Sequence, residues 1–193
     1  MKKFVVFVWE IAKVVAISLA IILPIRYYLI QPFYVKGASM EPNFFDHEYL
    51  IIDEISYRFT PPERGQVVVF RYPRNPQEYF IKRVIGLPGE EIQIKDGQVW
   101  IYNEESPDGF RLQEDYLPAD LMTFGQSTDI QTDRVTIGLD EYYVLGDNRN
   151  ASKDSRSFGP VSRNFITGKV LLRGWPFDRV TVFDGSYWPQ YNN

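Results

Sequence analysis

The sequence predicts a mainly β protein: an antiparallel β-sheet domain behind a single N-terminal transmembrane helix. Three observations carry this expectation. The stretch from Phe4 to Ile30 is almost entirely apolar. The rest of the chain breaks into short apolar runs ended by proline, glycine or charge, the pattern of strands. No apolar run of helical period appears after residue 36. The 193 residues suffice for one anchor, residues 1–30, and one β-rich domain of ordinary size, residues 31–193.

The anchor comes first. Its polar interruptions are Glu10, Lys13, Ser18, Pro24 and Arg26. Val14 to Leu23 carries no charge but is too short to span alone. A turn or more at each end supplies the ~20 residues that a bilayer requires. Glu10 and Lys13 are one helical turn apart and pair on one face. Arg26 snorkels outward beside Tyr27 and Tyr28, whose rings suit an interface. A cleaved signal peptide is the rival reading, but the apolar region is too long and no small-x-small site precedes the polar chain. Lys2, Lys3 and Lys13 favour a cytoplasmic N-terminus, against Arg26 and Lys36 on the far side, which puts the domain outside the cytoplasm.

Strands follow. Tyr49 to Asp53, Gln66 to Arg71 and Phe80 to Ile85 are the first three. Glu91 to Lys95 alternates, turns at Asp96-Gly97 and resumes as Gln98 to Tyr102, a hairpin with the residues its turn demands. Asn103 to Arg134 is polar and reads as a loop-rich insertion. Glu141 to Leu145, Lys169 to Leu172 and Val180 to Phe183 complete the set.

Composition narrows the chemistry. Hydrophobic residues are 45%, and thirteen Tyr, fourteen Phe and thirteen Pro suit a β domain with many turns. A net charge of −4 without a long basic stretch speaks against nucleic acid. The absence of cysteine excludes disulfides, thiolate catalysis and Cys-based zinc sites. A lone histidine, His47, makes a Ser-His-Asp triad improbable and offers no His cluster for a metal. It is read as structural or solvent-exposed. No cofactor is implied.

A hydroxyl nucleophile and a lysine base make a hydrolase without a His/Asp pair. Ser39 sits in Gly37-Ala38-Ser39-Met40-Glu41-Pro42, nine residues past Ile30 and so close to the membrane surface. Its plain alternative is a turn serine in a linker. Lys82 sits in Phe80-Ile81-Lys82-Arg83-Val84-Ile85-Gly86. Period two places Lys82 on one face with Phe80 and Val84, where desolvation disfavours the ammonium. Arg83, on the other face, is read as a solvent or salt-bridge residue. A lysine on an edge strand facing water is the plain alternative for Lys82. The third block, Gly146-Asp147-Asn148-Arg149-Asn150-Ala151-Ser152-Lys153-Asp154-Ser155-Arg156, follows an apolar strand and begins a tight connection. Asp154 and Arg156, two apart in extended chain, lie on one side, each open to a charged partner.

These blocks, in this order behind an anchor, resemble the type I signal peptidases of bacteria and plastids, membrane-bound Ser-Lys serine proteases that remove signal peptides from exported proteins. The resemblance extends to the Gly65 to Phe70 strand and the Asp96-Gly97 hairpin. It implies that Ser39 is the nucleophile and Lys82 the general base, and that Ser152 orients the amine. It implies that Asp154 and Arg156 support the site. The substrates it implies are preproteins cut after small-x-small sequences at a lipid bilayer, beside secretion machinery. Two departures stand out. Gly37 replaces the Ser or Thr whose hydroxyl assists the oxyanion in some members, and Asn43 stands where Thr often follows the proline. Another Ser-Lys protease, such as a self-cleaving repressor-type domain, and an inactive anchored β module are the competing readings.

Overall fold

The computed structural model describes residues 2–28, 30–125 and 131–184, with side chains described for 3–23, 32–125 and 131–184. Helix α1 spans Lys2–Tyr28. Within it Lys3–Leu23 is long and apolar enough to cross a membrane, and none of it is buried against the protein. Lys13 Nζ donates to Glu10 at 2.7 Å, the expected pair across one turn. The expectations for the side chains of Arg26, Tyr27 and Tyr28 lie outside the described residues. The helix ends earlier than its apolar run. Ile30 already begins strand β1, Ile30–Tyr34, opposite Asp53.

Strands β2 (Tyr49–Asp53), β3 (Val67–Tyr72), β4 (Asn75–Gly86), β5 (Glu91–Lys95), β6 (Gln98–Tyr102), β7 (Phe110–Arg111), β8 (Val135–Thr136) and β9 (Glu141–Leu145) follow. After a single-turn helix α2 (Ser155–Phe158) come β10 (Val161–Ser162), β11 (Ile166–Trp175) and β12 (Thr181–Val182). They build two antiparallel sheets. The larger runs β1-β2-β11-β3-β4-β9-β10, with β12 on β11. The smaller runs β7-β6-β5-β8. The hairpin between β5 and β6 turns at Asp96 (φ 53°) and Gly97 (φ 73°), the two positive angles that a tight hairpin turn of this kind requires.

The core explains the strand patterns. Strand β3 reads as a continuous apolar run because both of its faces are buried. Val67 and Val69 pack with Met40, Phe44, Leu50, Ile52 and Val170, whereas Val68 and Phe70 pack with Val84, Val144 and Val161. A third cluster, including Ile85, Ile92, Ile101 and Leu145, joins the two sheets. Burial of each such side chain contributes about 1.5–3 kcal/mol, which is ample to fix these layers.

Candidate active site

Three segments converge: the loop after β1, the middle of β4 and the loop after β9. The first is anchored by Met40 and Phe44, both fully buried. Its base is tied by ion pairs of buried Glu48 to Arg173, at 2.9 Å, and to Arg179, at 2.7 Å. Ser39 is therefore presented beside a fixed methionine. Lys82 sits opposite Val68 in the β3–β4 ladder. The neighbouring pairing of Arg83 with Leu145 brings the end of β9, and hence Gly146, alongside.

Lys82 Nζ donates to Ser39 Oγ at 2.6 Å and to the Ile81 carbonyl at 2.7 Å. The lysine is only 3% exposed. Burial pushes its amine from 10.5 down to about 8, against the opposing pull of Asp154 and Asp147. A buried amine with that pKa is a usable base near neutral pH, and a hydroxyl within 2.6 Å is positioned to lose its proton to it.

Gly146 marks the closest approach of the third block. A Cβ there would stand 2.4 Å from the Ser39 carbonyl oxygen and 2.1 Å from Ser152 Oγ. Only glycine lets the two loops meet. Ser152 thus lies next to the site, but among the described residues its buried Oγ makes no hydrogen bond with Lys82 Nζ. Asp154 and Arg156 pair with each other. Asp154 caps α2 by accepting from the Arg156 N–H at 3.2 Å, and this turn folds the arginine back so that Nε and Nη2 each donate to the same carboxylate at 2.8 Å. The segment is a helix start, not the extended chain that the spacing implied. Burial pushes the Asp154 carboxyl up, yet Arg156 and the Gly146 N–H, which donates at 3.0 Å, outweigh it and the carboxyl is held below the usual range.

Arg83 is a salt-bridge residue, but not a solvent-facing one. It is 1% exposed, binds Asp147 through two hydrogen bonds, donates to the Gly65 carbonyl at 2.8 Å and stacks 3.9 Å from the Tyr116 ring. Asn43 joins this network, donating to Asp147 and to the Tyr116 carbonyl at 2.9 Å each. His47 is exposed, with positive φ (68°). It is bonded to the Tyr34 hydroxyl and pairs with Asp46 at 3.2 Å. Among the described residues no group of three or more His, Asp or Glu is placed to hold a metal.

The stretch 103–134 supplies what the sequence reading missed. Glu114 and Thr123 bind the buried guanidinium of Arg149, Tyr116 covers Arg83, and the Phe124 carbonyl accepts from Arg156 at 3.0 Å. Asn148 is the other omission. Its side chain and backbone both hold the Ser39 loop. Nothing in the local spacing announces either, because each contact joins segments far apart in the chain.

A cleft of about 730 Å³ opens over Ser39 and Lys82. Residues 33–39 form one wall and Gln77 to Lys82 the other. Both walls are strand edges. Among the described residues strand β1 pairs with β2 alone, and β4 pairs with β9 only from Arg83 onward. Phe33 and Tyr79 meet across it, ring centroids 5.2 Å apart. An extended peptide fits such a slot by strand addition. A second cavity of about 690 Å³ near Arg156, between the sheets, is lined by neither Ser39 nor Lys82.

Comparison with known proteins places the chain in a family. The family model described as signal peptidase, peptidase S26, matches residues 8–175. A probable signal peptidase I-2 of Synechocystis sp. is 36% identical over 176 residues, covering 89% of this chain and 75% of that one. Signal peptidase I of Leptolyngbya laminosa is 37% identical over 175 residues, 87% of this chain and 80% of that one. Signal peptidase IB of Staphylococcus aureus is 32% identical over 174 residues, 84% and 87% respectively. With a match that runs from the N-terminal apolar helix to Trp175, the chain belongs to the signal peptidase family, peptidase S26, and is a serine endopeptidase.

Proposed function

We propose that the protein removes signal peptides from exported preproteins with a Ser39–Lys82 dyad, cutting after small-x-small sequences. Residues 1–30 anchor it as a single-pass membrane protein with a cytoplasmic N-terminus. The peptidase domain, residues 31–193, works on the extracytoplasmic side, close to the bilayer and to the secretion machinery that delivers its substrates. The observation that carries this reading is the 2.6 Å contact between Lys82 Nζ and Ser39 Oγ in a buried setting that lowers the lysine's pKa.

The chemistry runs as follows. The neutral Lys82 amine takes the Ser39 proton while Oγ attacks the scissile carbonyl carbon. Charge develops on the carbonyl oxygen, and the Ser39 N–H is the donor that receives it. The tetrahedral species collapses, the peptide C–N bond breaks, and the Lys82 ammonium returns its proton to the leaving amine. Water then attacks the acyl-enzyme with Lys82 again as base, which frees Ser39 and the signal peptide's new carboxylate. Ser152, Asp154 and Arg156 support this centre without taking part in bond making. The substrate lies as an added strand between β1 and β4, where shallow apolar pockets give the selectivity.

The test is direct. The detergent-solubilised protein is incubated with a preprotein, and the product's new N-terminus is sequenced. One cut after a small-x-small sequence, abolished in Ser39→Ala, supports the proposal. Cleavage that persists in Ser39→Ala, or a cut elsewhere in the preprotein, overturns it.

A further inference from the structure

Asn148 holds the nucleophile loop from behind. Its side-chain Nδ2 donates to the Ala38 carbonyl at 3.0 Å, and its backbone N–H donates to the Ser39 carbonyl at 3.1 Å. Its Oδ1 accepts from the Ala151 N–H at 3.2 Å, which sets which way round the amide lies. The consequence is geometric. A trans peptide is planar, with its C=O and N–H on opposite sides. The Ala38 carbonyl also accepts from the Glu41 N–H at 3.2 Å, and fixing it between these two donors turns the Ser39 N–H the other way. Ala38 and Ser39 line the cleft and Asn148 does not, so that N–H is turned to the cleft side. Among the described residues it makes no hydrogen bond of its own. It is a donor aimed and left open.

We infer that Asn148 is a positioning residue that holds the Ser39 N–H in register with the developing oxyanion. The inference rests on Ser39 being the nucleophile. Gly37 sharpens it. With no side chain there to donate, the site depends more heavily on the one backbone N–H, and on the peptide rotation that aims it. Were the Ala38–Ser39 peptide free to rotate, its carbonyl would present an acceptor where a donor is needed.

Two variants separate this role from simple loop stability. Asn148→Asp keeps the size and the acceptor for Ala151 but has no N–H for Ala38. Asn148→Ala loses both side-chain contacts, to Ala38 and from Ala151, and keeps the backbone one to Ser39. If orientation of the Ala38–Ser39 peptide is what matters, both lower kcat by about 10²-fold, as loss of one oxyanion donor does, while KM stays within about threefold. A peptide aldehyde ending in Ala-x-Ala supplies the second readout. Ser39 Oγ adds to its carbonyl carbon, the serine proton passes to Lys82, and the former carbonyl oxygen carries the charge that the N–H must hold. Its affinity falls by the same factor as kcat in both variants, whereas the affinity of the cleaved product peptide does not change. The pH–rate midpoint of Asn148→Ala stays where Lys82 sets it. Asn148→Asp with wild-type kcat, or a loss of kcat without loss of aldehyde affinity, overturns the inference; if Asn148→Ala fails to fold, Asn148→Asp decides alone. Failure of the underlying reading looks different: Ser39→Ala itself then remains active and binds the aldehyde as the wild type does.

Discussion

Arg83 and Asp147 form a two-point ion pair, Nε to Oδ1 at 2.8 Å and Nη2 to Oδ2 at 2.5 Å, with neither side chain more than 2% exposed. One partner is the residue after Lys82 and the other follows Gly146, so the pair locks the strand that bears the amine to the loop that backs Ser39. Removing one partner leaves a buried charge without its counter-ion. Asp147→Ala is expected to lose about 3–5 kcal/mol of stability in chemical unfolding, and Arg83→Met a comparable amount. The double variant Arg83→Met/Asp147→Ala should lose much less than the sum. Additive losses would mean that the two residues act independently.

Ser39→Ala and Lys82→Ala are each expected to abolish preprotein cleavage and leave the fold intact. If the two residues in this 2.6 Å contact act as the proposed dyad, the double variant should be little worse than either single one. Single-turnover assays measure this. Substantial activity in Lys82→Ala would remove the lysine from the role of base.

The lowered pKa of Lys82 has two pH signatures. Activity needs the neutral amine, so kcat/KM should rise with pH through a midpoint of about 8. Stability follows the same group. Its folded pKa, about 8, lies below its ordinary 10.5. Below the lower value both states carry the proton and the folded state bears the full cost of a buried ammonium. Between the two values the unfolded state binds more protons, so stability rises with pH. Lys82→Met has no such cost. It should be more stable than the wild type at pH 7 by up to roughly 3 kcal/mol, with the gap closing toward pH 10.5. Parallel pH–stability curves for the two proteins would show that the amine is not shifted.

Asp154 and Arg156 act through the start of α2. Replacing either with Ala should lower melting temperature and activity together, with measurable activity remaining. Asp154 is held below its ordinary carboxylate pKa, so its contribution is present at neutral pH and is lost as the pH falls through its folded pKa. If Asp154→Ala were folded and as inactive as Ser39→Ala, the carboxylate would have to be given a part in the chemistry.

What the sequence reveals and what it hides follow from the range of the interactions. Strand β2, strand β9 and the β5–β6 hairpin are legible because local apolar period and turn chemistry decide them. Lys82 is legible because its flanking apolar residues share its strand. The first half of β4 is not, since Asn75 to Tyr79 are exposed and carry no apolar signal. Strand β1 is hidden because Ile30 continues the apolar run of the helix. The Arg149–Glu114 and Arg83–Asp147 pairs join residues that only the folded sheets bring together. The Asp154–Arg156 pair is local, yet it depends on a helix start that four residues are too few to announce.

The boundary between helix and sheet shapes the last expectation. Strand β1 begins at Ile30 and pairs along its length with β2, while Lys3–Leu23 is not buried against the domain. A shortened chain should therefore begin at residue 29, since a cut further into β1 would remove an edge strand that walls the cleft. Such a protein should fold and keep the Ser39–Lys82 chemistry. Its loss should depend on the substrate. With the anchoring proposed above, a membrane-embedded preprotein and the enzyme share one surface, which raises their effective concentration and fixes the height of the scissile bond. A short soluble peptide gains neither. Cleavage of the embedded preprotein should thus fall much further than cleavage of the peptide, measured on vesicles and in solution. Equal losses on both substrates would place the helix's contribution in folding or in the site itself, and the account of shared tethering would be wrong.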